Sequence, residues 1–397
     1  MAKESKVAKP SFTKIVIGEL INPKKRGAMN TLLAIGDINA NGLPDIVLGG
    51  RNGQMAWFEN HGKERAWERH LIADIENQEC GGSLIDLTGN GHLDVINGGD
   101  YASTVISWWE NPGVVRTPWP QRTIADTGHG QFHDTLVGDV TRDGVLSLVF
   151  TNQHGAKGTD TYRVPLPRDP TASPWPGLEV IGSGKTEPNP YRPEGVQPEE
   201  GLAIGDVDGD GQDEVVAGTH WYKYAGGRWE GHKFATGYIT TKIAIGDVDG
   251  DGQNEIVLSE GDPCVYGKTQ GGKVSWFKAG ADITAMWEEH VVEDGLLDAH
   301  SLRLADLCGN GRLDILVGEV GVADRETDDY VVRPPRLMIY ENGGDGSFTR
   351  HIVDEGTGAH DAWLADTRGK GVLDIVTRPL HGPEKWKLHV YYNDQAG

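Results

Sequence analysis

One phrase returns seven times along the 397-residue chain: an apolar pair, an aspartate, a glycine-containing turn, then an acid and a run of aliphatic residues. The copies begin at Asp37, Asp86, Asp139, Asp206, Asp247, Asp306 and Asp366. Eight positions on stand Asp45, Asp94, Glu214, Glu255, Asp314 and Asp374, while the third copy has Ser147 there. A unit recurring every roughly 40–65 residues cannot bury its apolar face alone and must stack on its neighbours. The chain is therefore read as one repeat domain over 1–397, with residues 1–10 as a disordered tail.

The first unit shows how each copy is built. Leu32–Gly36 reads as a short strand, Asp37–Asp45 as the acidic loop, and Ile46–Gly49 as a strand with both faces buried. Met55–Glu59 and Trp67–Ile72 follow as outer strands. Third strands recur at Ile106–Glu110, Val274–Phe277 and Leu337–Glu341, and fourth strands at Trp119–Ile124, Trp287–Val292 and Phe348–Val353. The fold class is all-β, a seven-bladed β-propeller of four-stranded blades. The seventh unit stops after its third strand, Leu388–Tyr392, and Phe12–Ile17 carries the missing pattern at the other end of the chain. The N-terminal strand should close the ring on the last blade and remove an exposed edge.

Propeller geometry sorts the loops onto two faces. The acidic 1–2 links share one length and one face. The 2–3 and 4–1 links vary widely (Gln153–Asp160, Gly184–Glu200, Glu260–Gly272, Glu319–Arg336 and Pro379–Lys387). Long irregular loops on a rigid scaffold mark the working face.

A net charge of −22 leaves no basic face for phosphates, so no nucleic-acid partner is expected. Three cysteines cannot form a disulfide framework. No apolar run is long enough for membrane insertion. The opening Met-Ala-Lys-Glu-Ser-Lys lacks a signal peptide's apolar region, which reads as cytoplasmic as the chain stands and extracytoplasmic if a leader was removed. Oligomeric state is left open.

The acidic loops concentrate hard oxygen ligands. Asp206, Asp208, Asp210 and Glu214, with the Gln212 carbonyl, form one set, and Asp247, Asp249, Asp251, Gln253 and Glu255 a second. Such donors suit Ca²⁺, expected as a structural ion at two sites or more. Asp37, Asn39, Asn41 and Asp45 offer a third set. The second and sixth copies are weaker, with Thr88 and Asn90, and Cys308 and Asn310, at ligand positions. The third copy lacks its closing acid. In the seventh, Arg368 and Lys370 replace ligands, so a side-chain cation should pair with Asp366 and Asp374.

Six residues before each first aspartate, strand 1 begins near the channel mouth. The occupants are Thr31, Cys80, His133, Glu200, Thr241, His300 and His360. Three histidines at one equivalent position allow a Zn²⁺-like or Mg²⁺ ion, acid–base chemistry, or strand capping. His133, His300, His360, His154 and Arg378 are the catalytic candidates. Tyr101, His220, Trp221, Arg51 and Glu319 are the candidate sugar contacts. Gly-x-Ser-x-Gly and His-Glu-x-x-His are missing, while Glu200, Glu260 and Glu319 keep a two-carboxylate glycosidase open.

The Ile-Gly-Asp-Val-Asp-Gly-Asp-Gly-Gln phrase at 204–212 and 245–253 resembles the FG-GAP/VCBS repeats of integrin-type propellers, which implies this fold and calcium. His133-Asp-Thr-Leu-Val-Gly-Asp139, His300-Ser-Leu-Arg-Leu-Ala-Asp306 and Val105-Ile-Ser-Trp-Trp-Glu-Asn-Pro-Gly113 resemble the propeller domain of fungal aldos-2-ulose dehydratases. That family eliminates water from keto-sugars. The expectation is a carbohydrate-active lyase or dehydratase performing β-elimination on a keto-sugar or uronide. The alternative is a non-catalytic sugar-binding lectin or adhesion module. A propeller lectin would repeat its binding residues between blades, whereas the residues here differ from blade to blade.

Overall fold

In a computed structural model, which describes residues 9–22, 28–62, 67–113, 118–155, 158–185, 187–196 and 200–394, seven four-stranded antiparallel sheets form a ring. Blade 1 is Asn30–Gly36, Asp45–Gly50, Gly53–Glu59 and Glu68–Ile75, hydrogen-bonded in that order. Blade 7 is Asp361–Ala365, Asp374–Arg378 and Lys387–Asn393, completed by Phe12–Glu19. Phe12 pairs with Asn393 and Ile15 with Val390, so the N-terminal strand closes the ring as its pattern implied. Most of the expected tail, residues 1–8, lies outside the described residues. The Gly184–Glu200 link was expected to be irregular, yet it holds a hairpin of Glu187–Asn189 with Arg192–Val196.

The second strands are buried on both faces because each is shared by two junctions. Ile46 and Leu48 pack with Val376, Leu388 and Val390 of blade 7, while Val47 between them packs with Val95 and Trp109 of blade 2. The same alternation gives seven apolar clusters, each spanning one blade junction. Burying each such aliphatic side chain contributes about 1.5–3 kcal/mol, so the ring is held mainly by inter-blade packing.

The acidic phrase is first a hydrogen-bonding hub. Asp37 Oδ1 and Oδ2 accept from the N–H groups of Asn41 and Gly42 at 2.9 and 2.8 Å. Asp366 does the same for Lys370 and Gly371. Gly42 has φ +89°, a left-handed conformation that suits glycine. The closing acid then ties the loop to the third strand: Asp45 accepts from Ile38 N and Asn60 N at 3.0 and 2.8 Å. Asparagines at that third-strand end reach across the junction. Asn60 Nδ2 donates to Thr367 O, Asn111 to Ile38 O, Asn342 to Val248 O and Asn393 to Leu307 O.

Where the phrase degenerates, a guanidinium takes over. Arg163 Nε donates to Ser147 Oγ at 2.9 Å and its Nη2 to Thr141 Oγ1 at 3.0 Å, filling the third loop. Arg368 Nη2 lies 2.8 Å from Asp374 Oδ1, as expected of the seventh loop. The expected pairing with Asp366 differs, since that carboxylate caps backbone N–H groups.

Asn111→Ala would strip a donor from the buried Ile38 carbonyl and from the part-buried Leu93 carbonyl. It should cost about 1–3 kcal/mol in chemical denaturation. Asn111→Asp, which sets an acceptor against those carbonyls, should cost more.

Candidate functional site

Five of the seven residues six positions before the repeat aspartates meet on the propeller axis. Cys80, His133, Glu200, His300 and His360 are all under 9% exposed. The His133 and His300 rings are centred 5.7 Å apart, and those of His300 and His360 4.1 Å apart. Gly81 lets the strands close in this far: a Cβ there would stand 1.8 Å from the His133 carbonyl oxygen. The cluster separates two cavities, because Cys80, His133, His300 and His360 line both. The upper, of about 340 Å³, opens among the working-face loops and includes Arg51, Gln153, His154, Glu200 and Asp262. The lower, of about 310 Å³, is the channel, with Asp134, Lys242, Arg303 and Asp361 on its wall.

Hydrogen bonds anchor one nitrogen of each imidazole. His133 Nδ1 lies 2.9 Å from Asp134 Oδ2, which accepts, and 3.4 Å from Lys242 Nζ; the nearer carboxylate makes Nδ1 a protonated nitrogen. His300 Nδ1 lies 2.8 Å from the His360 carbonyl oxygen and is likewise the protonated nitrogen. His133 Nε2 and His300 Nε2 then face Glu200 Oε2 at 3.9 and 3.5 Å. His360 is the reverse case. Its Nδ1 lies 2.8 Å from Arg378 Nη2, which can only donate, so the proton sits on Nε2, 3.9 Å from Cys80 Sγ.

Glu200 Oε1 accepts from Gln153 Nε2 at 2.7 Å, while the buried Oε2 accepts from no N–H donor among the described residues. One ligand atom each from His133, Glu200 and His300 falls within a 4.8 Å span. Two outward-anchored imidazoles and a bare carboxylate oxygen match the donor set of a transition-metal ion, with Asp134 orienting His133 from behind.

The surrounding charges drive the protonation states apart. Burial would raise the Glu200 carboxyl, but His133, His300 and Lys242 outweigh it and hold it well below the usual range. Burial and the Glu200 charge push the adjacent Asp262 well up. Burial and Lys242 press His133 down, yet Glu200 and Asp134 prevail and it is pushed well up. His300, buried and beside Lys242, falls to about 4. His360 is lowered by burial, His300 and Arg378.

Other expected site residues have structural surroundings. Arg378 is fully buried and donates to the Asn30 and Thr31 carbonyls as well as to His360, bracing the blade 7–blade 1 junction. Trp221 is 2% exposed in the blade 4–blade 5 core, stacked on His232, with no ring face open to a sugar. His220 starts the same strand beside Thr219, away from the axial cavities. Glu319, fully buried, binds Arg333 and Arg336 at 2.6 and 3.2 Å and anchors the long loop it begins. Glu260 likewise holds Lys268, so neither is a free carboxylate. His154 lies exposed on the upper cavity wall. Arg51 is held by Glu79 at 2.5 Å and reaches over the half-exposed ring of Tyr101.

Asp134, Lys242 and Asp262 complete the site and were missed. Asp134 and Lys242 follow the ring positions by one residue, a signal available in the repeat register. Asp262 comes from a loop with no register to count. Glu319→Ala should lower stability by about 2–4 kcal/mol, because it strands two arginines and the Leu297 and Arg336 amides. Thermal unfolding checks this, and a wild-type melting curve would return Glu319 to the sugar contacts.

Comparison with known proteins bears on the fold. Residues 37–96 and 206–258 match the FG-GAP-like repeat family. Aldos-2-ulose dehydratase of Phanerodontia chrysosporium is 25% identical over 270 aligned positions, covering 59% of this chain. The chain spans only 29% of that relative's length. Among solved structures, rhamnogalacturonan lyase YesW aligns with a TM-score of 0.51 at 13% identity, over 96% of this chain and 76% of that one. BBS1N, solved in complex with ARL6DN, aligns at 0.55 and 9% identity over 98% and 97% of the two chains. The V. cholerae biofilm matrix protein Bap1 aligns at 0.50 and 10% identity over 97% and 92%. At these identities the structural likenesses speak to the propeller fold alone. No helix among the described residues is long and apolar enough to cross a membrane.

Proposed function

We propose that the protein is a carbohydrate-active lyase that eliminates water from a keto-sugar in the upper cavity, with a Zn²⁺-like ion on His133, His300 and Glu200. The observation that carries this reading is the buried Glu200 Oε2 facing two imidazole nitrogens at 3.9 and 3.5 Å, with the Asp262 carboxyl, pushed up by burial and the Glu200 charge, beside it. Two imidazoles favour a Zn²⁺-like ion over Mg²⁺. A bound ion of that kind would act there as a Lewis acid toward the sugar carbonyl.

The chain's own residues supply the remaining steps. His154, on the cavity wall, accepts the proton α to the carbonyl, and the C–H electrons form the new double bond. The β C–O bond breaks, and Asp262 gives its proton to the departing hydroxyl, which leaves as water. Carboxyl groups shifted in opposite directions in one site are the pattern such acid–base division requires. Tyr101, set by Arg51 and open on the same face, offers a ring for the sugar.

Asp262→Asn should lower kcat on a productive keto-sugar by about 10²–10⁴-fold, the usual worth of a positioned acid, without a comparable loss of stability. The readout is the ultraviolet absorbance of the conjugated product. Sugar binding by the wild type with no unsaturated product across a keto-sugar and uronide panel would instead support the lectin reading.

In the acidic loops the reading is structural Ca²⁺, supported by the clustered oxygens of Asp206, Asp208 and Asp210 and of Asp247, Asp249 and Asp251. Burial raises the carboxyls of Glu214 and Glu255 to about 7. An acid raised in the folded state is neutral in both states at low pH, and its unfolded form loses the proton first. Its contribution to stability therefore falls as pH rises from about 4 through 7. In chelator, Glu255→Gln should gain stability relative to wild type between pH 4.5 and 7.5, as roughly the unfolded and folded titration limits require. A pH-independent difference in melting temperature would contradict this.

A further inference from the structure

The loops with the strongest calcium signature also carry a cation of their own. Lys223 Nζ contacts Asp208 Oδ2, lies 2.6 Å from Asp210 Oδ2 and 3.7 Å from the buried, otherwise unpartnered Glu214 Oε1. Lys278 Nζ contacts Asp249 Oδ2 and lies 2.7 Å from Asp251 Oδ2 in the next blade. These are the side-chain oxygens a divalent ion would need. The first aspartate of each loop is already occupied: Asp206 caps Gly209 and Gly211, and Asp247 caps Gly250 and Gly252.

Comparison between blades shows that the lysines are matched to their loops. They occupy the third-strand position one step beyond the pairs Val215–Tyr222 and Ile256–Phe277, across from the closing acid. At that position blades 1, 2 and 6 carry Glu59, Glu110 and Glu341. Their loops have neutral residues at the third and fifth places: Asn39 and Asn41, Thr88 and Asn90, Cys308 and Asn310. At the first, third, fifth and ninth loop positions blades 4 and 5 hold four acids and face one lysine, whereas blades 1, 2 and 6 hold two acids and face one glutamate. Over those five positions the charge is −3 in each of the five blades. The glutamates turn to fourth-strand partners, His70 at 2.7 Å, Arg122 at 2.6 Å and His351 at 2.7 Å.

We propose that Lys223 and Lys278 are tethered counter-cations, so that a divalent ion enters the blade 4 or blade 5 loop only by displacing the lysine ammonium. This rests on the reading of these loops as calcium sites and adds a competitor built into the chain. Calcium affinity in these loops is then set by the exchange of one cation for another.

The test is calorimetric Ca²⁺ titration of decalcified wild type and Lys223→Gln/Lys278→Gln, with melting curves in chelator. The double variant should gain two sites at least tenfold tighter than any in these loops of the wild type. It should also melt lower in chelator and recover with Ca²⁺. Lys278→Gln alone, at the more exposed position, should gain one such site if the double variant does not fold. Equally tight binding by wild type and variants would overturn the lysine competition and leave the calcium reading standing. No gained site in either variant, with no binding by the wild type, would overturn both.

Discussion

Each blade is fixed to the next by an apolar junction, and in blades 1, 2, 6 and 7 by one acid that serves two strands at once. In those four blades the closing acid accepts from its own loop and from the end of the third strand, and the asparagine there reaches the neighbouring blade. Because seven apolar junctions close on themselves through the N-terminal strand, the seven first strands are brought together around the axis. The functional site follows from that convergence. Residues distant in sequence, such as His133 and His360, share one buried cluster because the ring brings equivalent positions together.

That geometry explains what was legible in the sequence. The repeat acts as a ruler, and six positions back from each aspartate it found Cys80, His133, Glu200, His300 and His360. It fixed blade number and ring closure because strand alternation and turn spacing are local properties. Arg378, Trp221 and Glu319 were misplaced because direction and pairing are not local. Arg378 points into the blade 7–blade 1 junction, Trp221 faces the blade core, and Glu319 is held by arginines on the far side of its own loop. Asp262 lay in a loop without register. Lys223 and Lys278 were hidden because cross-strand pairing, not sequence distance, brings them to their loops.

Charge is managed in two ways in the same molecule. On the turn face, the ligand positions of blades 4 and 5, rich in acids, face a lysine, while those of blades 1, 2 and 6, with neutral residues at the third and fifth places, face a glutamate. On the axis, buried charges of both signs are packed together, with the Glu200 carboxyl held low, the Asp262 carboxyl pushed up and His300 lowered to about 4 within one cluster. Buried charges are costly unless compensated, and a site that keeps one carboxylate oxygen free of N–H donors is set up for a ligand rather than for stability. His133 and His300 are anchored through Nδ1, while His360 is turned the other way by Arg378, so the three histidines are not equivalent despite their shared register.

The most direct measurement is anomalous diffraction at the zinc absorption edge from crystals grown with Zn²⁺. A single axial peak should appear about 2.0–2.2 Å from His133 Nε2, His300 Nε2 and Glu200 Oε2, with His360 outside the coordination sphere. An axis without a peak, or a metal bound through His360 instead of Glu200, would contradict the assignment.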